Sequence, residues 1–317
     1  MSEVKLYMAP MEEISGYVFR NVQHALFGGA DKFFSPFITP TESMKLKPRE
    51  KKDICNENNK GIILVPQLLT NEAELFLKGV KLLNDMGYEE VNLNLGCPSN
   101  TVAKKGKGSG FLLYPDKLDS FFDTVFSAID DEKNKVKISV KTRLGYENPD
   151  EFINILPIFN RYNISELIVH PRVKTDMYGN EVREQLFEYA YKESKAKVCY
   201  NGDICTKADF DRINAKYPDA NVMIGRGAVA NPGIFREIRT GRKINKDELL
   251  NFNSTLFSAY SDLYGRKDAF FKLKEVWNNM SHMFDCERLT HKIKISKTPE
   301  EMLELIESVI NEENIIR

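Results

Sequence analysis

Several familiar signatures are missing from this sequence. Its five cysteines, Cys55, Cys97, Cys199, Cys205 and Cys286, are odd in number and form no Cys-x-x-Cys, which argues against a disulfide framework and a zinc ribbon. No His, Cys and carboxylate cluster falls at metal-ligand spacing, so no metal is expected. Neither sign of charge is in excess: 45 basic side chains face 46 acidic ones, a net of −1. That excludes a global basic field, so any RNA-binding face must be a local patch. The most apolar short run, Ile62 to Leu69, is interrupted by Pro66 and Gln67, whereas a membrane span needs about 20 apolar residues. The first residues show no basic segment followed by a long apolar run, so no signal peptide is expected. There is no P-loop and no dinucleotide fingerprint. These absences predict a soluble, reduced, cytoplasmic protein with no membrane contact.

What is present is a chain of 317 residues, 42% hydrophobic and 29% charged. That suffices for a large core and excludes wholesale disorder. Short apolar, β-branched runs alternate with longer amphipathic stretches, a pattern of βα units. Eight strands are predicted at Leu6–Ala9, Phe33–Ile38, Ile62–Pro66, Val91–Leu95, Lys137–Lys141, Leu167–Val169, Lys197–Tyr200 and Asn221–Ile224. Helices are predicted between them, the clearest at Glu72–Met86, where Leu75, Phe76, Val80, Leu83 and Met86 recur at helical spacing. Leu118–Ile129, Phe152–Arg161 and Ala208–Lys216 read similarly. This is the count for a (β/α)8 TIM barrel, although periodicity alone does not separate it from an open doubly wound sheet. After Gly241 the strands stop, and Asp247–Tyr264, Ala269–Phe284 and Pro299–Asn311 read as helices. The predicted organisation is a barrel over residues 1–243 and a smaller all-α unit over 244–317. Between Arg266 and Lys297, eight basic residues outweigh four acidic ones, the local patch that the balanced total demands.

In a barrel, chemistry sits at the C-terminal strand ends, so the residues that follow each strand are the candidates. Pro10 and Met11 follow the first strand and Gln67 the third. Asn92 and Asn94 lie on the fourth, before Gly96-Cys97-Pro98. Lys141 and Arg143 end the fifth and His170 and Arg172 the sixth. Asn201-Gly202-Asp203 and Gly225-Arg226-Gly227 end the last two. Those two loops offer backbone N–H groups and a guanidinium, which suit a phosphate monoester. Lys141 and Arg143 are expected to share a strand face, where two cations stabilise negative charge that builds on a planar ring during reduction. Cys97 sits among small and polar neighbours and is read as an acid, base or nucleophile; the other cysteines are read as small buried hydrophobes. Val102 to Gly110, with three lysines and three glycines, is read as a mobile basic loop able to cover phosphates or RNA.

These motifs resemble the tRNA-dihydrouridine synthases. The run Asn92-Leu93-Asn94-Leu95-Gly96-Cys97-Pro98 is the most specific. Ala9-Pro10-Met11, Gln67, Lys141-Thr142-Arg143, His170-Pro171-Arg172, Asn201-Gly202-Asp203-Ile204 and Gly225-Arg226-Gly227-Ala228 match in order and spacing. The helical end, with Lys272, Lys274 and Trp277, is similar to the family's tRNA-binding domain. The resemblance implies an FMN held by Pro10, Met11, Gln67, Lys141, His170, Asn201, Gly202, Asp203, Gly225 and Arg226, with the last two loops on its phosphate. It implies NADPH as transient reductant, a monomer, and a uridine flipped out of tRNA. Hydride would pass from flavin N5 to uracil C6, and Cys97 would protonate C5. Asn94, Arg143 and Arg172 would lie at the substrate, and Lys272, Lys274 and Lys292 at the tRNA. The chain departs from the pattern at Glu12-Glu13, where many members have a glycine. Two other readings stay open: an FMN barrel acting on a free pyrimidine, and a non-catalytic tRNA-binding protein. The basic helical end argues against the first, and intact Cys97, Lys141 and Arg226 against the second.

Overall fold

The structure is a computed structural model that describes residues 3–129 and 136–316. Eight parallel strands close into a barrel in sequence order: β1 (Leu6–Met8), β2 (Lys32–Ile38), β3 (Leu64–Leu68), β4 (Glu90–Leu95), β5 (Lys137–Gly145), β6 (Glu166–Val173), β7 (Lys197–Tyr200) and β8 (Asn221–Ile224). β1 pairs with both β2 and β8, which removes the open sheet that periodicity had left possible. All eight predicted strands are present. β5 and β6 run four residues further than expected, because Lys141 to Gly145 keeps its pairing with Ile168 to Val173 across a register shift.

Strand alternation sorts the side chains. Val91, Leu93 and Leu95 of β4 and Ile138, Val140 and Leu144 of β5 face the surrounding helices in the main core. The alternate positions carry Asn92 and Asn94, and Ser139, Lys141 and Arg143. A second apolar cluster of Tyr7, Ala9, Phe34, Val65, Ile168, Cys199 and Met223 fills the barrel interior. The inward register therefore starts apolar and turns polar toward the strand C-termini, at His170 and Arg172 after Ile168 and at Asn201 after Cys199.

The chain leaves the barrel through a helix at Ile234–Thr240, which Gly241 ends in the left-handed region. Asn245 and Glu248 form a capping box for the helix Lys246–Tyr264. Three more helices follow, at Arg266–Met280, Glu287–Ile295 and Pro299–Glu312. The sequence reading missed Glu287–Ile295, a strongly basic helix, and ran the preceding one four residues too far. Trp277 is 1% exposed and donates Nε1–H to Asn253 Oδ1 at 2.7 Å. Phe252 meets Phe19 of the barrel edge-on at 5.7 Å, so the helical unit and the barrel share one apolar core. Among the described residues no helix is long and apolar enough to cross a membrane, and no group of three or more His, Cys, Asp or Glu could hold a metal ion.

Candidate active site

The strand ends open into a cleft of about 560 Å³, part of it open to solvent. Its walls include Pro10, Met11, Lys141, His170, Asn201, Gly202, Asp203, Gly225 and Arg226. Nine of the ten expected cofactor residues thus converge; the tenth, Gln67, is fully buried on β3 and does not line the cleft. The loops after β7 and β8 pack against each other closely. A Cβ on Gly227 would lie 2.0 Å from the Ile204 carbonyl oxygen, so only glycine fits.

Lys141 projects into this cleft without a carboxylate partner among the described residues. Burial lowers its pKa to about 8, and the like charge of Arg143 adds to the effect. An unpaired, desolvated ammonium is costly, and a ligand that offers acceptor atoms would relieve it. His170 is 7% exposed. Burial, reinforced by Arg143, Lys141, Arg172 and Arg226, drives its pKa far down, so the ring is neutral. Arg172 Nη1 lies 3.2 Å from His170 Nε2. A guanidinium only donates, so Nε2 accepts and the proton sits on Nδ1.

Asp203 ties together the end of β6 and the loops after β7 and β8. Its carboxylate takes a fork from Arg172 at 2.9 and 2.5 Å and a further bond from Arg226 at 2.7 Å. Burial alone would raise this carboxyl, but the two guanidinium groups hold it below its ordinary value. Tyr178 closes one side. It stacks on His170 with centroids 6.1 Å apart, and the Arg226 guanidinium lies 4.5 Å from its ring. The sequence reading did not include Tyr178, although its place in the loop after β6 was the signal that could have found it.

Cys97 follows β4 and is not part of that cleft's lining; its loop is fastened from two sides. Asn94 Oδ1 accepts from the N–H groups of Gly96 and Cys97 at 3.0 and 2.9 Å, and Asn94 Nδ2 donates to Gln67 Oε1 at 2.7 Å. Gln67 Nε2 in turn donates to Asn92 Oδ1 at 2.8 Å. On the other side Ser109 Oγ donates to the Cys97 carbonyl at 2.7 Å. Burial raises the thiol pKa, and the hydrogen bond at Ser99 and the cations Arg143 and Lys141 offset it only in part. The side chain is therefore a thiol at neutral pH.

Several of the expected site residues are engaged by protein groups. Arg143 is 1% exposed and donates to the carbonyls of Gly96, Val173 and Met177 at 3.1, 2.7 and 2.8 Å. It clamps the Cys97 loop to the loop after β6 instead of projecting into the cleft. Arg172, expected at the substrate, is 2% exposed and taken up by Asp203, His170 and the Asn180 carbonyl. Gln67, expected at the cofactor, is 0% exposed and holds Asn92 and Asn94. Lys274, expected at the tRNA, donates to the Ser296 carbonyl and covers the Phe270 ring at 4.4 Å, so it fastens two helices. Lys272 faces Glu13 at 3.5 Å. Only Lys292 is exposed. The segment Val102 to Gly110 is also not a loose loop. Ser109 and Gly110 are buried, and a Cβ on Gly110 would meet the Ala103 carbonyl oxygen at 2.2 Å. Of the cysteines read as buried hydrophobes, only Cys199 is fully buried.

Comparison with known proteins agrees with this geometry. The family model described as "Dihydrouridine synthase (Dus)" matches residues 7–314. A "Probable tRNA-dihydrouridine synthase" of Staphylococcus aureus is 31% identical over 264 residues, covering 80% of this chain and 77% of that protein. A "tRNA-dihydrouridine(16) synthase" of Cupriavidus necator is 29% identical, covering 74% of this chain and 73% of that protein. Among solved structures, an old yellow enzyme from Trypanosoma cruzi superposes with a TM-score of 0.57 at 9% identity, covering 81% of this chain and 94% of that one. Morphinone reductase superposes at 0.53 with 12% identity, covering 75% and 86%. At such identities the likeness is one of fold. With the family model spanning nearly the whole chain and the motif residues assembled at one barrel mouth, the chain belongs to the dihydrouridine synthase family.

Proposed function

We propose that this protein reduces the C5–C6 double bond of specific uridines in tRNA, using FMN held in the barrel-mouth cleft and NADPH as reductant. The observation that carries the reading is the arrangement at the strand ends: Lys141, with no carboxylate partner among the described residues, lines the cleft, and Cys97 follows β4 in a loop held by Asn94 and Ser109.

The residues present fit such a cofactor. Lys141 has no carboxylate partner among the described residues and offers three donors to a ring carbonyl or ring nitrogen that accepts charge. Arg226 is 42% exposed and shares its pairing with an Asp203 that Arg172 already satisfies. It is thereby available to a phosphate without leaving that carboxylate unpaired. When bound, the flavin supplies the hydride equivalent that reaches uracil C6. Neutral His170 offers Nδ1–H as a donor and adds no charge. Lys141 is placed to stabilise negative charge that builds on the ring during reduction.

Hydride addition at C6 leaves the electron pair as an enolate over C4 and C5 of the uracil, and C5 then needs a proton. Cys97 is a thiol at neutral pH and supplies it, becoming a thiolate that solvent reprotonates. Asn94, Gln67 and Arg143 act through position: they hold the Cys97 loop and leave the chemistry to the thiol. General acid groups contribute on the order of 10²–10⁴ in rate.

The test is to delete the gene in the source organism and map dihydrouridine position by position in its tRNA. Loss at particular positions, restored by the wild type and not by Cys97→Ala, supports the reading. Unchanged dihydrouridine at every position, with no paralogue, overturns it.

A further inference from the structure

A second cleft, of about 770 Å³ with its solvent-open part, lies where the barrel mouth meets the helical unit. Glu13 stands in it, at the position where the sequence departs from the family pattern. Its backbone is left-handed, with φ 64, a conformation that costs a side-chain-bearing residue energy and that collects at functional sites. Its carboxylate joins two cations from separate parts of the fold. Arg49, on the barrel helix Pro48–Ile54, reaches Oε1 at 2.5 Å, and Lys272, on the helix Arg266–Met280, reaches Oε2 at 3.5 Å. Other charges here are already committed. Asp53 pairs with buried Arg20, and Glu50 caps its own helix with Lys47. Glu12 is the remaining acid of the cleft wall.

We propose that Arg49 and Lys272 form a subsite for the phosphodiester backbone of the RNA substrate, and that Glu13 occupies this subsite as a stand-in anion until the RNA displaces it. This rests on the tRNA reading above. Two cations held about one carboxylate present the geometry that a phosphate oxygen needs. The Glu13–Arg49 pair is about half exposed on both sides. Such pairs are weak, so a polyanion can replace the carboxylate at low cost. Tyr264 lies beneath the Lys272 ammonium, 5.2 Å from ring centroid to Nζ, and fixes its direction. Glu13 is also two residues from Met11, which lines the first cleft. The loop that carries the stand-in anion is therefore the loop that borders the reaction site.

The test is binding of unmodified tRNA to the full-length, flavin-loaded protein at several salt concentrations. Wild type, E13Q, E12Q and E13Q/R49Q/K272Q are compared. E13Q is expected to bind about fivefold tighter at ~50 mM salt, the gain fading as salt screens the exposed charges. E12Q is expected to gain less, since Glu12 blocks no cation. The triple variant is expected to lose the gain. Unchanged or weaker binding by E13Q, or a gain that survives without Arg49 and Lys272, overturns the proposal. Failure of the wild type itself to bind tRNA overturns the tRNA reading instead.

Discussion

Replacing Lys141 by methionine should stabilise the flavin-free protein while abolishing flavin binding. Methionine keeps the stem and removes the charge. Burial lowers the ammonium from an ordinary value near 10.5 to about 8. At about 1.4 kcal/mol per pKa unit, keeping it charged at pH 7 costs the native state on the order of 3 kcal/mol. The sign follows from proton linkage. Between pH 8 and 10.5 the unfolded chain holds this proton and the native state does not, so wild-type stability rises with pH through that window at this site. Below pH 8 the penalty is fully present. Urea unfolding of both flavin-free proteins should therefore show Lys141→Met more stable by about 2–3 kcal/mol at pH 7. The difference should shrink to about 1 kcal/mol at pH 10. Equal or lower stability of the variant at pH 7 would refute the reasoning, since it would mean that the ammonium is solvated or paired in the native state.

Three further outcomes are expected. Cys97→Ala should lower dihydrouridine formation by roughly 10²–10⁴ with flavin retained, and the wild-type dependence on this thiol should persist beyond the ordinary thiol range, because burial raises its pKa; single-turnover rates across pH check both. Asn94→Ala leaves the N–H groups of Gly96 and Cys97 without their acceptor, at a cost of about 1–3 kcal/mol, and should cut activity more than flavin affinity, as paired titrations would read. Gly227→Ala forces a Cβ to 2.0 Å from the Ile204 carbonyl and should abolish soluble flavin-loaded protein; normal yield and colour would contradict the packing described for those loops.

Much of the fold and of the site was legible because two signals are local. Alternation along β4 to β8 separates Leu93 from Asn94 and Val140 from Lys141 without reference to any distant residue. The same alternation, joined to the rule that barrel chemistry sits at strand ends, placed Lys141, His170, Asn201 and Gly225 around one cleft. The resemblance supplied what periodicity could not, namely the chemistry of that cleft. The helix Glu287–Ile295 was missed because Lys292-Ile293-Lys294-Ile295 alternates with a period of two, which is not a helical spacing.

The sequence by itself determined the succession of eight strands, the face on which each polar side chain lies and the resemblance to the family, whereas closure of the barrel came from the pairing of β1 with β8. Only the tertiary structure decided what several of those side chains do there. Arg143 and Arg172 look like free cations in the sequence and are consumed by buried carbonyls and a carboxylate. Lys274 looks like a phosphate ligand and fastens the end of a neighbouring helix. Cys97 lies near two cations that should favour a thiolate, yet burial outweighs them and keeps it a thiol. The physical reason is common to all four. The direction of a side chain follows from local geometry, whereas its protonation and its partner depend on which groups the fold removes from water beside it, and those groups lie far away in sequence.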